Sequence, residues 1–153
     1  MPSILSEGIV AMINDPYSEK VLGTVGPDGE PHVVFKGSLR ADKEGLLEFY
    51  ELIETSITNR NLVYSLWFNK VVTVNIRSGK ESIQIRTVPE RVLTAGAEYE
   101  AAYRKLREDG RDIDLSGIWK LEPKEVRIQT FATRWEEEDA AHPILRHLDR
   151  LTV

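Results

Sequence analysis

An antiparallel β-barrel with helices set between its strands is the fold class this sequence predicts. Two observations carry it. Six or seven short segments rich in β-branched and aromatic residues recur along the chain. Most neighbours are joined by tight turns rather than by the long crossovers that parallel strands need. The 153 residues fit one domain, 1–153, and no cysteine is present, so the core has to stand without disulfides.

Taken in order, Ile4, Leu5, Ile9, Val10 and Ile13 are spaced for a short amphipathic helix over 3–14, stopped by Asp15-Pro16. Val21–Val25 reads as a strand, residues 26–31 (Gly-Pro-Asp-Gly-Glu-Pro) as a turn, and His32–Lys36 as the returning strand. Residues 41–45 turn again into a third strand, Leu46–Tyr50. Ser56 or Thr58 caps a helix to about Phe68, with Leu62, Leu66 and either Tyr64 or Trp67 on one face. Val71–Ile76 is the clearest strand, and Ser78-Gly79-Lys80 turns it into a long strand from Ser82 to Thr94. Pro89 within that strand implies an edge or a bulge. Residues 97–108 form a helix with Tyr99, Tyr103 and Leu106 aligned, closed by Asp109-Gly110. Two strands follow, Gly117–Leu121 and Lys124–Phe131, and then a helical tail from about 136 to 150, disturbed by Pro143.

The net charge is −5, which argues against a general nucleic-acid binder and against adsorption to anionic membranes. Without cysteine, thiolate catalysis and iron–sulfur clusters are excluded. The N-terminus lacks a basic region, and Ser6, Glu7 and Gly8 interrupt its apolar residues, so no signal peptide is read and a cytoplasmic location is expected. Of the three histidines, His142 and His147 are five apart, on different faces of a helix, and His32 reads as an exposed turn residue, so no metal site is expected. Trp67, Trp119 and Trp135 read as core or interface anchors.

The run Thr24–His32, the strands Val33–Lys36 and Leu46–Tyr50, the segment Ser56-x-Thr58-x-x-Asn61-Leu62 and the strand after Asn69-Lys70 resemble, in this order, the pyridoxamine 5'-phosphate oxidase-like, FMN-binding split-barrel family. The likeness covers about residues 5–130. It implies a split barrel of six or seven antiparallel strands that binds FMN, works as an oxidoreductase on a small-molecule redox substrate or electron donor, and forms a homodimer with the flavin between subunits. Residues 112–131, with Trp119 and Phe131, are the expected subunit contact. The flavin ring is implied to lie against the backbone near Val34, Phe35 and Tyr50. Its phosphate is implied to lie near Lys36, Ser56, Thr58 and Arg60, where a helix N-terminus offers free amides. If those four surround it, FMN binds much better than riboflavin. The family's Ser-x-Lys and Lys-Thr patterns have Thr58 or Ile57 here at the lysine position. One cation is therefore missing, and Lys36 or Arg60 would replace it. A helix cap without phosphate binding is the plain structural reading of Ser56 and Thr58. A flavin carrier or sensor without turnover, and a flavin-free dimer that kept the fold, are the alternatives to an oxidoreductase.

The pyridoxamine phosphate oxidases proper end in an Arg-Leu-His-Asp-Arg substrate run, whereas this chain has Arg146-His147-Leu148-Asp149-Arg150, permuted and on an expected helix. Flavin-loaded protein should therefore fail to convert pyridoxamine 5'-phosphate to the aldehyde. Steady turnover in a coupled oxygen-consumption assay would contradict this.

Overall fold

The computed structural model describes residues 4–110 and 112–143. Among them the chain runs α1 (Glu7–Asn14), β1 (Glu19–Val25), β2 (Pro31–Phe35), β3 (Arg40–Ala41), β4 (Leu47–Glu51), α2 (Ile57–Phe68), β5 (Val72–Ser78), β6 (Glu81–Leu93), α3 (Ala97–Glu108), β7 (Gly117–Ile128) and α4 (Phe131–Ala141). The strands form one seven-stranded antiparallel sheet in the order β2-β1-β5-β6-β7-β4-β3.

That order forces curvature. β2 and β3 stand at opposite ends of the sheet, yet the chain joins them through residues 36–39 alone. Such a link spans at most about 18 Å. Seven strands laid flat would put the ends about 29 Å apart. The sheet therefore curls until its ends face each other, the half-open barrel expected from the sequence. Side-chain bonds cross between the facing segments: the Tyr50 amide donates to Ser38 Oγ at 3.0 Å, and Lys36 Nζ reaches Glu51.

Inside the curl, Leu22, Val72, Val74, Ile76, Ile85, Leu47, Phe49 and Leu121 interlock with Ile13 of α1 and Leu62 of α2. A second cluster gathers Ala102 of α3 with Leu115 and Ile118, and Tyr99 Oη donates to the Leu115 carbonyl at 2.6 Å. The helix α2 is fastened to the first hairpin by Asn61, whose Nδ2 donates to Thr24 Oγ1 at 3.1 Å. Asn61 also lies so close to Gly26 that a Cβ there would meet its Oδ1 at 2.5 Å.

Three expectations change, and one alternative is decided. The short strand β3 was not foreseen, because two residues carry no alternation to read. The two strands expected over 117–131 are a single β7, with Pro123 accommodated where the β6–β7 register shifts. Of the two alternatives expected for Pro89, an edge or a bulge, the bulge holds: β6 lies between β5 and β7, and a register shift between Pro89 and Arg91 absorbs the missing amide donor. The tail helix begins at Phe131 rather than 136, and its expected continuation, with His147 and the Arg146–Arg150 run, lies outside the described residues.

The sheet also carries a buried ionic cluster. The Lys120 ammonium, with its side chain 3% exposed, bonds Asp42 at 3.0 Å, Glu98 at 2.7 Å and Glu48, which also accepts from Arg40 Nε at 2.7 Å. Burial disfavours the Lys120 charge, but the bonds to Glu48, Glu98 and Asp42 outweigh it and hold the group above the ordinary lysine value of 10.5. The folded state thus binds this proton more tightly than the unfolded chain. The cluster's stabilisation is fully present below that ordinary value and fades as pH rises through the folded pKa. Lys120→Met should cost about 3–5 kcal/mol, because it strands buried carboxylates. Glu98→Gln, at a half-exposed position, should cost about 1 kcal/mol or less. Urea denaturation of both variants checks the contrast.

Candidate functional site

Glu51 is the last residue of β4 and is 2% exposed. A buried carboxylate is costly unless its oxygens are bonded, and here three donors meet it. Lys36, just past the end of β2, lays its side chain over the Phe49 ring (5.1 Å to the centroid) and ends 3.3 Å from Glu51 Oε2. Ser56 donates its hydroxyl to Glu51 Oε1 at 3.1 Å, and the Ile53 amide reaches the same oxygen at 3.2 Å. Ser56 is also the cap of α2, its Oγ accepting from the Asn59 amide at 3.0 Å. The result is a seat for an anion made of one cation, one hydroxyl and one backbone amide, with the chain's own carboxylate in it. Along the sequence the seat is flanked by exposed apolar side chains: Phe35 (74% exposed), Leu52, Ile53 and Ile57.

Of the residues expected at the site, Lys36 and Ser56 come together and the others separate. Thr58 lies apart from the seat. It is 2% exposed and turned inward on the face of α2 that also buries Asn61, Leu62 and Ser65, so its hydroxyl does not join the seat, and the cap is Ser56 alone. Helical spacing carries the reason, since 58, 62 and 65 share a face and Leu62 belongs to the core. Arg60 is exposed and lines a different feature, a cleft of about 520 Å³ between the β1–β2 turn and α2. His32, Ile57, Asn61 and Tyr64 line it as well, and Asp28 and Glu30 add carboxylates. Val34 packs against the core, whereas Phe35, next along the strand, points outward. The Tyr50 side chain leaves β4 on the side opposite Glu51, where its hydroxyl accepts from Arg40 Nη2 at 2.6 Å and its ring lies 4.4 Å from the Arg40 guanidinium.

Trp119 is corrected as a subunit contact. It is wholly buried within one chain, and its Nε1 donates to Asn59 Oδ1 at 2.9 Å. Trp67 is not a core anchor, being 79% exposed, and Phe68 beside it is exposed too. The helix spacing that buries Leu62 turns position 67 about 140° away from it. Sequence reasoning missed Glu51 and the Ile53 amide. An acid at a strand end reads as a solvated terminus, and only the nearby Lys36 hinted at a charge partner.

Ser56→Ala removes both the helix cap and one donor to the buried carboxylate. It should lower stability by about 1–2 kcal/mol, whereas Arg60→Ala, at an exposed position, should stay within about 0.5 kcal/mol. Thermal unfolding of the two variants measures the difference.

No family model matches the chain, and no curated protein matches it in sequence. Solved structures do. A candidate pyridoxamine 5'-phosphate oxidase from Lactobacillus delbrueckii matches with a TM-score of 0.63 at 18% identity, covering 80% of this chain and 93% of that one. An FMN-binding protein from Syntrophomonas wolfei matches at 0.63 and 12% identity, over 80% of this chain and 84% of that one. HutZ, the heme storage protein of Vibrio cholerae, matches at 0.57 and 16% identity, over 81% and 94%. With its curled seven-stranded sheet, its flanking helices and these likenesses, the chain has the split-barrel fold of the pyridoxamine 5'-phosphate oxidase-like proteins.

Proposed function

We propose that this chain is a homodimeric redox protein of the flavin class, taking FMN with its anionic end toward the Lys36–Ser56 seat and its ring along the apolar side chains beside it. The observation that carries the reading is the convergence of three donors, Lys36 Nζ, Ser56 Oγ and the Ile53 amide, on one anionic point. A cation, a hydroxyl and an amide are the donor set that suits a phosphate monoester. Exposed Phe35, Ile53 and Ile57 supply apolar area for a ring system. The likeness to an FMN-binding protein supports the same reading. When bound, the flavin supplies hydride and single-electron chemistry. The protein's part is to bind and orient it: the exposed apolar side chains and the curled sheet present a wall to the ring, and Lys36 and Ser56 are the donors toward which the tail is aimed.

A second subunit is favoured by the surface. Val33, Phe35, Val63, Trp67, Phe68 and Phe131 are all exposed. Such apolar area is characteristic of faces that a partner covers.

The cleft that holds His32 and Arg60 favours a second reading, in which the ligand is a tetrapyrrole. A histidine ring nitrogen can meet iron, and a guanidinium can meet a propionate. The likeness to a heme storage protein points the same way.

Purified protein titrated with FMN should acquire a flavin spectrum that bleaches with dithionite and returns in air. Light scattering should give about twice 17.4 kDa. A Soret band on adding hemin, with no response to any flavin, would favour the tetrapyrrole reading. Protein that binds neither and runs as a monomer would overturn both.

A further inference from the structure

We propose that Glu51 is a built-in competitor for the anionic end of the ligand, so that a phosphate takes the seat only when the Glu51 carboxylate leaves it. This inference rests on the flavin reading above for the identity of the ligand, but the seat can be tested without any flavin. Each of the three groups of the seat already bonds Glu51. Lys36 Nζ lies 3.3 Å from Oε2, and the Ser56 hydroxyl and Ile53 amide lie 3.1 and 3.2 Å from Oε1. The Lys36 charge is balanced by that carboxylate. A phosphate monoester brings about −1.5 to −2 charges at neutral pH. Entering beside Glu51, it would face a like charge in a poorly solvated place, with Lys36, the cation of the seat, already paired. Thr58 does not relieve the shortage, since it is turned into the core, and Arg60 lines the separate cleft. In its resting arrangement the chain therefore holds a flavin by its ring alone, and FMN and riboflavin are nearly equivalent. That departs from the FMN preference expected when Lys36, Ser56, Thr58 and Arg60 are all taken as phosphate contacts.

Removing the carboxylate leaves Lys36, Ser56 and the Ile53 amide facing an open anion site. The test uses the full chain and two probes, inorganic phosphate by thermal shift and the flavin pair by fluorescence titration. Wild type should show FMN and riboflavin affinities within about threefold, and inorganic phosphate at millimolar concentration should not protect it beyond an ionic-strength control. Glu51→Ala should melt below wild type in phosphate-free buffer. It should recover saturably with inorganic phosphate and prefer FMN over riboflavin by about 10- to 100-fold, corresponding to two or fewer charged hydrogen bonds gained. Adding Lys36→Met to Glu51→Ala should abolish both gains. Should Glu51→Ala fail to fold, Glu51→Gln keeps the side-chain volume and an acceptor while removing the charge, and its FMN-to-riboflavin preference should still rise several-fold. A wild type that already prefers FMN tenfold, or Glu51 variants whose phosphate response and flavin preference equal wild type, would overturn the inference. If neither protein binds a flavin yet phosphate protects Glu51→Ala alone, the seat stands and the flavin reading falls.

Discussion

The short chain between β2 and β3 is the constraint on which the rest of this structure depends. Because residues 36–39 must connect the two ends of a seven-stranded sheet, the sheet has no flat solution, and curling it creates an interior. The interior then dictates which face of every strand is apolar. It also brings residues far apart in the ladder order into side-chain range. Lys36, at the end of one edge strand, meets Glu51 on a strand near the other edge without any backbone ladder between them. The ion pair is therefore a product of closure, and it lies where the barrel is held by side chains rather than by backbone bonds.

Much of the fold was legible because its signals are local. β5 shows nearly unbroken β-branched character, and the helix over 97–108 appears where its periodicity and the Asp109-Gly110 stop put it. What failed was information that only long-range pairing supplies. Pro89 marks an edge or a bulge when a strand is read alone, and only the β6–β7 ladder decides for a bulge in a central strand. The site was half legible for a similar reason. Lys36 and Ser56 stand out as a charge and a cap in one neighbourhood of the chain. That they share a partner depends on the curl. The spacing of Thr58 from Leu62 already marks it as inward.

The likenesses to solved structures narrow the fold far more than the chemistry. Structures of this shape include one named for FMN and one named for heme. The difference has to lie in a few side chains set on a common frame. In this chain an acid at the end of β4, Glu51, bonds Lys36, Ser56 and the Ile53 amide.

The bond between Asn61 and Thr24, with Asn61 pressed against Gly26, has a consequence for how such a chain can change over generations. It anchors α2 to the first hairpin independently of the loop that precedes the helix. Leu52–Thr55 is exposed, so that loop can be rewritten without releasing the helix from the sheet. Variation there is cheap, and variation at Gly26 is not, because a Cβ would meet Asn61 Oδ1 at 2.5 Å and push aside the side chain that bonds Thr24. A lineage built on this frame is thus free to vary one short exposed stretch while the anchor beside it stays fixed.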